Sequence, residues 1–197
     1  MGCIREIKEV QAHGTTKLHV IHTNDLRKVK AIIDKYDQHL QIQHNKIVGV
    51  DVEHTYEAAH KQKAVLTQLS IDKTQPVLLC ILITAEHSWT VGLHIMHFVD
   101  IQKQWRVPES TKYLDSLGDV SSMLIDDYYM SMKQKLKNED HKRWACMPLS
   151  MKHVQDGKDA YTAYEIWSRI TVTQDGLRCA MLEKSKKRGR TWEDDGW

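Results

Sequence analysis

Ile47-Val48-Gly49-Val50-Asp51-Val52-Glu53 decides how this chain is read. Its β-branched, apolar residues predict a buried strand. Two acids interrupt it. A strand alternates its side chains, so Asp51 and Glu53 project from one face and Val52 packs on the other. Two neighbouring carboxylates repel each other, and burying them is costly unless a cation offsets the charge. A hard divalent ion such as Mg²⁺ or Mn²⁺ suits carboxylate oxygen. The plainer alternative is a strand end emerging into solvent, where two acids cost nothing.

Working outward, residues 64–71 (AVLTQLSI) and 77–83 (VLLCILI) predict two further strands, separated by a turn at Asp72-Lys73-Thr74-Gln75-Pro76. With 47–53 they form a meander at the heart of a mixed sheet. Before them, 16–21 (TKLHVI) alternates as a short strand. Thr23-Asn24-Asp25 caps a helix whose apolar residues Leu26, Val29, Ile32 and Ile33 carry it to about Tyr36, and 39–45 reads as a loop. After the meander, 91–101 is apolar and short, and 120–137 has helical spacing at Met123, Leu124, Tyr128 and Met132. Ser150 is placed to cap one long helix from Met151 to about Ile170, with Val154, Tyr161, Tyr164 and Trp167 facing the core.

That late helix holds the second chemical feature. Gln155 and Asp159 are four apart and share a face. Asp159 meets Asp51 and Glu53 only if the helix packs beside their strand. Otherwise the pair belongs to a solvated helix face.

The order VGVDVEHT, AVLTQLSI, a third strand and then LSMKH…KDAYTAYEIW resembles the DEDD superfamily of 3′–5′ exonucleases. The likeness is to the RNase D and Werner-type branch, and to plant members in FVDIQKQWRVPES (98–110), DDYYMSMKQK (126–135) and HKRWACMPLSMKH (141–153). It covers roughly residues 15–172. The resemblance implies an α/β, ribonuclease H-like fold, a mixed sheet flanked by helices. It also implies hydrolysis of terminal phosphodiester bonds at DNA or RNA 3′ ends. In that family four carboxylates hold two divalent metals about 3.5–4 Å apart, which activate a water and stabilise the leaving oxygen. Asp51 and Glu53 match the first motif and Asp159 the last acid. The water-orienting position holds Gln155, which cannot do proton chemistry near neutral pH.

The resemblance also implies a missing internal strand–helix segment. Family members carry their second-motif Asp between the third strand and the FVDIQ region, and here Ile83 is followed directly by Thr84 to Thr90 and Val91. Asp100 is the candidate stand-in, ahead of Asp126 and Asp127. With three acids, one metal is expected to be held weakly and the second lost, so activity is impaired. The alternative is a catalytically inactive relative that binds nucleic acid or a protein.

Composition bounds these readings. The 197 residues carry 28 Lys plus Arg against 26 Asp plus Glu, a formal +2, which excludes a histone-like polycation. The four cysteines form no CxxC pair, so a zinc ribbon is not expected, although His87, His94 and His97 lie close in sequence. The longest apolar run is the seven residues 77–83, far short of the roughly 20 a bilayer span needs. An intracellular protein of nucleus or cytoplasm, without a membrane partner, is expected. Residues 1–180 read as the exonuclease-like domain and 181–197 as a flexible tail, first basic and then acidic. Lys184, Lys186, Lys187, Arg188 and Arg190 form a compact run, read as a nuclear localisation signal, a phosphate-contacting patch or a solvated tail.

Overall fold

A computed structural model describes residues 4–43, 46–57, 61–71, 77–82, 98–132, 143–146, 148–156 and 158–190. Strands β1 (Ile4–Gln11), β2 (Lys17–Thr23), β3 (Gly49–Glu57), β4 (Lys61–Ser70) and β5 (Val77–Leu82) form a sheet in the order β1-β2-β5-β4-β3. β2 and β5 run parallel, and the other neighbours are antiparallel. The expected meander is present as β3-β4-β5, and among the described strands β3 stands at the end of the order. The helices are α1 (Leu26–Ile42), α2 (Ile101–Gln104), α3 (Leu117–Leu124), α4 (Tyr128–Met132), α5 (Met151–Asp156) and α6 (Asp159–Arg190). The fold class is therefore α/β, a mixed open sheet flanked by helices.

Each sheet face has its own core. On one, α1 lays Val29, Ile32, Ile33 and Tyr36 against Ile21, Leu69, Leu79 and Ile81, with Val48 and Val50 beside them. On the other, Val10, Leu18, Val20, Leu66 and Cys80 pack with Trp144, Leu149, Val154, Ala160 and Tyr161. This second face also takes Gly49, Asp51 and Glu53, because alternation sends Val50 the other way.

β1 escapes a period-two reading because its apolar residues Ile4, Ile7 and Val10 are three apart. A register shift between Ile7 and Val10, with Glu9 at φ 60°, inserts an extra residue. Both Ile7 and Val10 then reach the same core.

Three helix expectations are corrected. α1 continues through the expected loop at 39–45 as far as Ile42, because polar pairs one turn apart support it: Lys30 with Asp34, and Gln41 with Asp37. The 120–137 helix is two, α3 and α4, parted at Ile125–Asp127, where the Asp126 carboxylate accepts from Tyr128 N–H; residues beyond Met132 there lie outside the described ones. The late helix is also two. Ser150 does start α5, its carbonyl accepting from Val154 N–H. The helix stops at Asp156, and α6 starts at Asp159, just after Lys158, whose carbonyl accepts from Thr162 N–H. α6 then stays helical to Arg190, so the basic run occupies its last turns. The chain divides into a unit of residues 1–166 and a second of 167–197, whose described part is the C-terminal portion of α6.

The expected turn at 72–76, the apolar stretch 91–97 and the histidines 87, 94 and 97 lie outside the described residues. No described helix is long and apolar enough to cross a membrane.

Candidate functional site

Register builds the site. Opposite residues in adjacent strands share a face, and the ladders align Arg5 with His22, His22 with Cys80, Cys80 with Gln68 and Gln68 with Asp51. One polar or polarisable residue from each of the five strands thus forms a row beneath α5 and α6. Glu53 stands beside its acidic end, and Gln68 Nε2 donates to Glu53 Oε1 at 3.3 Å. Asp51 and Glu53 are half-buried.

Two members of the row, Cys80 and His22, are shifted by their surroundings. Burial pushes the Cys80 thiol up to about 12, and the Glu53 and Asp51 carboxylates add to that. The thiol therefore stays protonated and is not a nucleophile at neutral pH. Burial, and then the Arg5 guanidinium, hold the His22 imidazole down to about 4. Its Nδ1 accepts from Leu149 N–H at 3.1 Å, while Arg5 Nη1 donates to Leu149 O at 2.6 Å. The sheet thus grips both backbone polar groups of Leu149, the residue that leads into Ser150 and α5.

The start of α6 is set by close packing. A Cβ added to Gly49 would strike the carbonyl oxygen of Ala160 and come within 2.8 Å of Tyr164 Cβ. Only glycine lets the first turns of α6 approach β3 this far. The helix bearing Asp159 therefore packs beside the strand bearing Asp51 and Glu53, but the three carboxylates are not grouped to hold a metal ion. Lys158, fully buried, fixes that helix start by donating to Gln11 O and Tyr128 OH, with its ammonium 5.2 Å from the Tyr128 ring centre.

The other candidates go elsewhere. Gln155 is exposed near the end of α5, and the break before α6 removes the single helical face it was expected to share with Asp159. Asp100 is the N-cap of α2, where its carboxylate accepts from Gln102 N–H and Lys103 N–H and lies 3.5 Å from Lys103 Nζ. Asp100→Ala is accordingly expected to cost about 1 kcal/mol in stability, the usual worth of a cap. Divalent-ion affinity, measured by titration calorimetry, should not change. Asp126 likewise serves a helix start.

Among the described residues, no three His, Cys, Asp or Glu side chains are grouped to hold a metal ion. The arrangement does not fit a two-metal centre. Of the residues the sequence reading did not single out, Gly49 had a signal, since glycine inside a β-branched strand marks a close approach. Lys158 and Gln68 lay in quoted motifs with no local pattern to reveal their burial.

Comparison of the chain with protein-family models, with curated proteins and with solved structures returned no match.

Proposed function

We propose that the chain is a 3′–5′ exonuclease-family protein acting on DNA or RNA 3′ ends, with severely impaired hydrolysis. In this reading the sheet is ribonuclease H-like and lacks one internal strand–helix segment. The observation that supports it is the docking of α6 on Gly49, which brings the Asp159 helix beside the strand of Asp51 and Glu53. Their carboxylates are hard oxygen donors, and this reading requires them to close on one weakly held Mg²⁺ or Mn²⁺ rather than on a pair. Gln155, exposed on α5, contributes little. Each 1.36 kcal/mol of lost transition-state stabilisation is about tenfold in rate, and a missing metal removes several kcal/mol.

A second reading has its own support. Asp100 is engaged in a helix cap and Gln155 faces solvent, which favours a catalytically inactive relative that binds nucleic acid or a protein partner.

The test is degradation of a 3′-labelled single strand and of a recessed duplex, in Mg²⁺ and then Mn²⁺. Slow stepwise 3′ shortening is expected, and Asp51→Ala should abolish it. Cleavage that survives Asp51→Ala would sink the carboxylate reading. No cleavage by a folded protein that still binds the strands would leave the second reading standing.

A further inference from the structure

Residues 105–116 join α2 to α3 without regular structure, yet they are tied down along their length. The Asp115 carboxylate, 1% exposed, accepts from Arg106 Nε and Val107 N–H at 2.9 Å each and from Ser110 Oγ at 2.5 Å. Those bonds hold its carboxyl below the usual range. The Arg106 guanidinium also donates to the carbonyls of Lys112 and Tyr113. Gln102 Nε2 donates to the Asp115 carbonyl at 3.0 Å, which fastens the segment to α2.

This frame presents the Tyr113 side chain 97% exposed. Only its backbone carbonyl is used by the frame, so the ring is held out by a conformation it does not itself stabilise. A ring with two rotatable bonds on a rigid support loses little freedom when a partner covers it.

The surrounding charge is sorted by depth. The Asp115 and Asp119 side chains are 1% and 14% exposed, whereas Arg106 and Lys112, their ion-pair partners, are 45% and 58% exposed. Glu109 is exposed as well, but the two acids that pair with these cations turn inward. Lys112 Nζ gives one bond to Asp119, leaving donors for an outside acceptor.

We infer that the 105–116 segment is a docking surface for single-stranded nucleic acid, with Tyr113 stacking on an unpaired base and Lys112 and Arg106 facing the adjacent phosphates. An exposed aromatic flanked by cations is the combination that holds unpaired strands without sequence preference. The inference rests on the proposed nucleic-acid role, but it names residues other than the three carboxylates.

The test is anisotropy of a labelled oligo-dT or oligo-U with the full chain over a salt series. Tyr113→Ala is expected to weaken binding about tenfold, and Tyr113→Phe to bind like the parent. Lys112→Gln should reduce the slope of log affinity against log salt by about 0.7. The exposure of Tyr113 separates these effects from folding, which circular dichroism checks. If the parent binds strands and Tyr113→Ala binds equally well, this inference falls and the proposed function stands. If the parent binds no strand, both fall. Competition by polyglutamate as strong as by unlabelled strand would assign the surface to acidic protein and overturn the nucleic-acid assignment.

Discussion

Gly49→Ala is expected to destabilise the protein by about 3 kcal/mol, the upper part of the range for overpacking a rigid site. The added methyl meets the Ala160 carbonyl and Tyr164 Cβ, and neither can swing aside as the tip of a long side chain would. The β3 backbone is held by its ladder to β4, and Ala160 is buried in the core that α6 shares with the sheet. Relief therefore requires α6 to lift away from β3, carrying Asp159 with it. Urea unfolding followed by tryptophan fluorescence should show a lower midpoint, and under the proposed function Mn²⁺ affinity should fall with it. Gly176→Ala supplies the contrast. That residue lies within α6 with nothing within 4 Å of its added Cβ, so alanine should raise helix stability by up to about 1 kcal/mol. A Gly49→Ala protein within 0.5 kcal/mol of the parent, on the order of an ordinary surface change, would mean that α6 does not dock here.

Gly49 also shows what was legible in the sequence. β3, β4 and β5 announce themselves because β-branched and apolar residues recur without interruption, and that local pattern is what a buried strand requires. Asp25 and Ser150 are readable as helix starts because capping is a property of the few residues around them. β1 was hidden because its bulge breaks the alternation between Ile7 and Val10, and a bulge is set by the pairing partner. The split between α5 and α6 was hidden for a related reason. Helical periodicity runs through Lys158, but its buried ammonium is drawn to Gln11 O and Tyr128 OH, both distant in sequence. The candidate site divides the same way. The shared face of Asp51 and Glu53 follows from strand alternation alone. Their relation to Asp159, and Asp100's engagement as a cap, depend on how separate elements pack.

Acid should weaken the protein through His22 by about 2–3 kcal/mol as pH falls from about 6.5 toward 4. The imidazole is fully buried at the strand pair β1–β2, and its pKa is depressed from 6.5 to about 4, by burial first and by Arg5 second. A histidine held neutral in the folded state binds its proton more readily once unfolded. Its contribution is therefore complete above pH 6.5 and is lost as pH drops through the window to the folded value. Geometry gives the same sign. Nδ1 must stay unprotonated to accept from Leu149 N–H, and a proton there would set two donors face to face. The nearby guanidinium, bonded to the carbonyl of the same residue, would add charge repulsion. Protonation thus releases the peptide that anchors the start of α5 to the sheet, and the helix layer over Asp51 loosens with it. Urea midpoints at steps between pH 7 and pH 4 should slope downward in the parent. His22→Gln should be less stable at pH 7 but show a flatter profile through the window. An unchanged slope in the variant would mean that the acid sensitivity arises elsewhere and that His22 is not the group holding this layer in place.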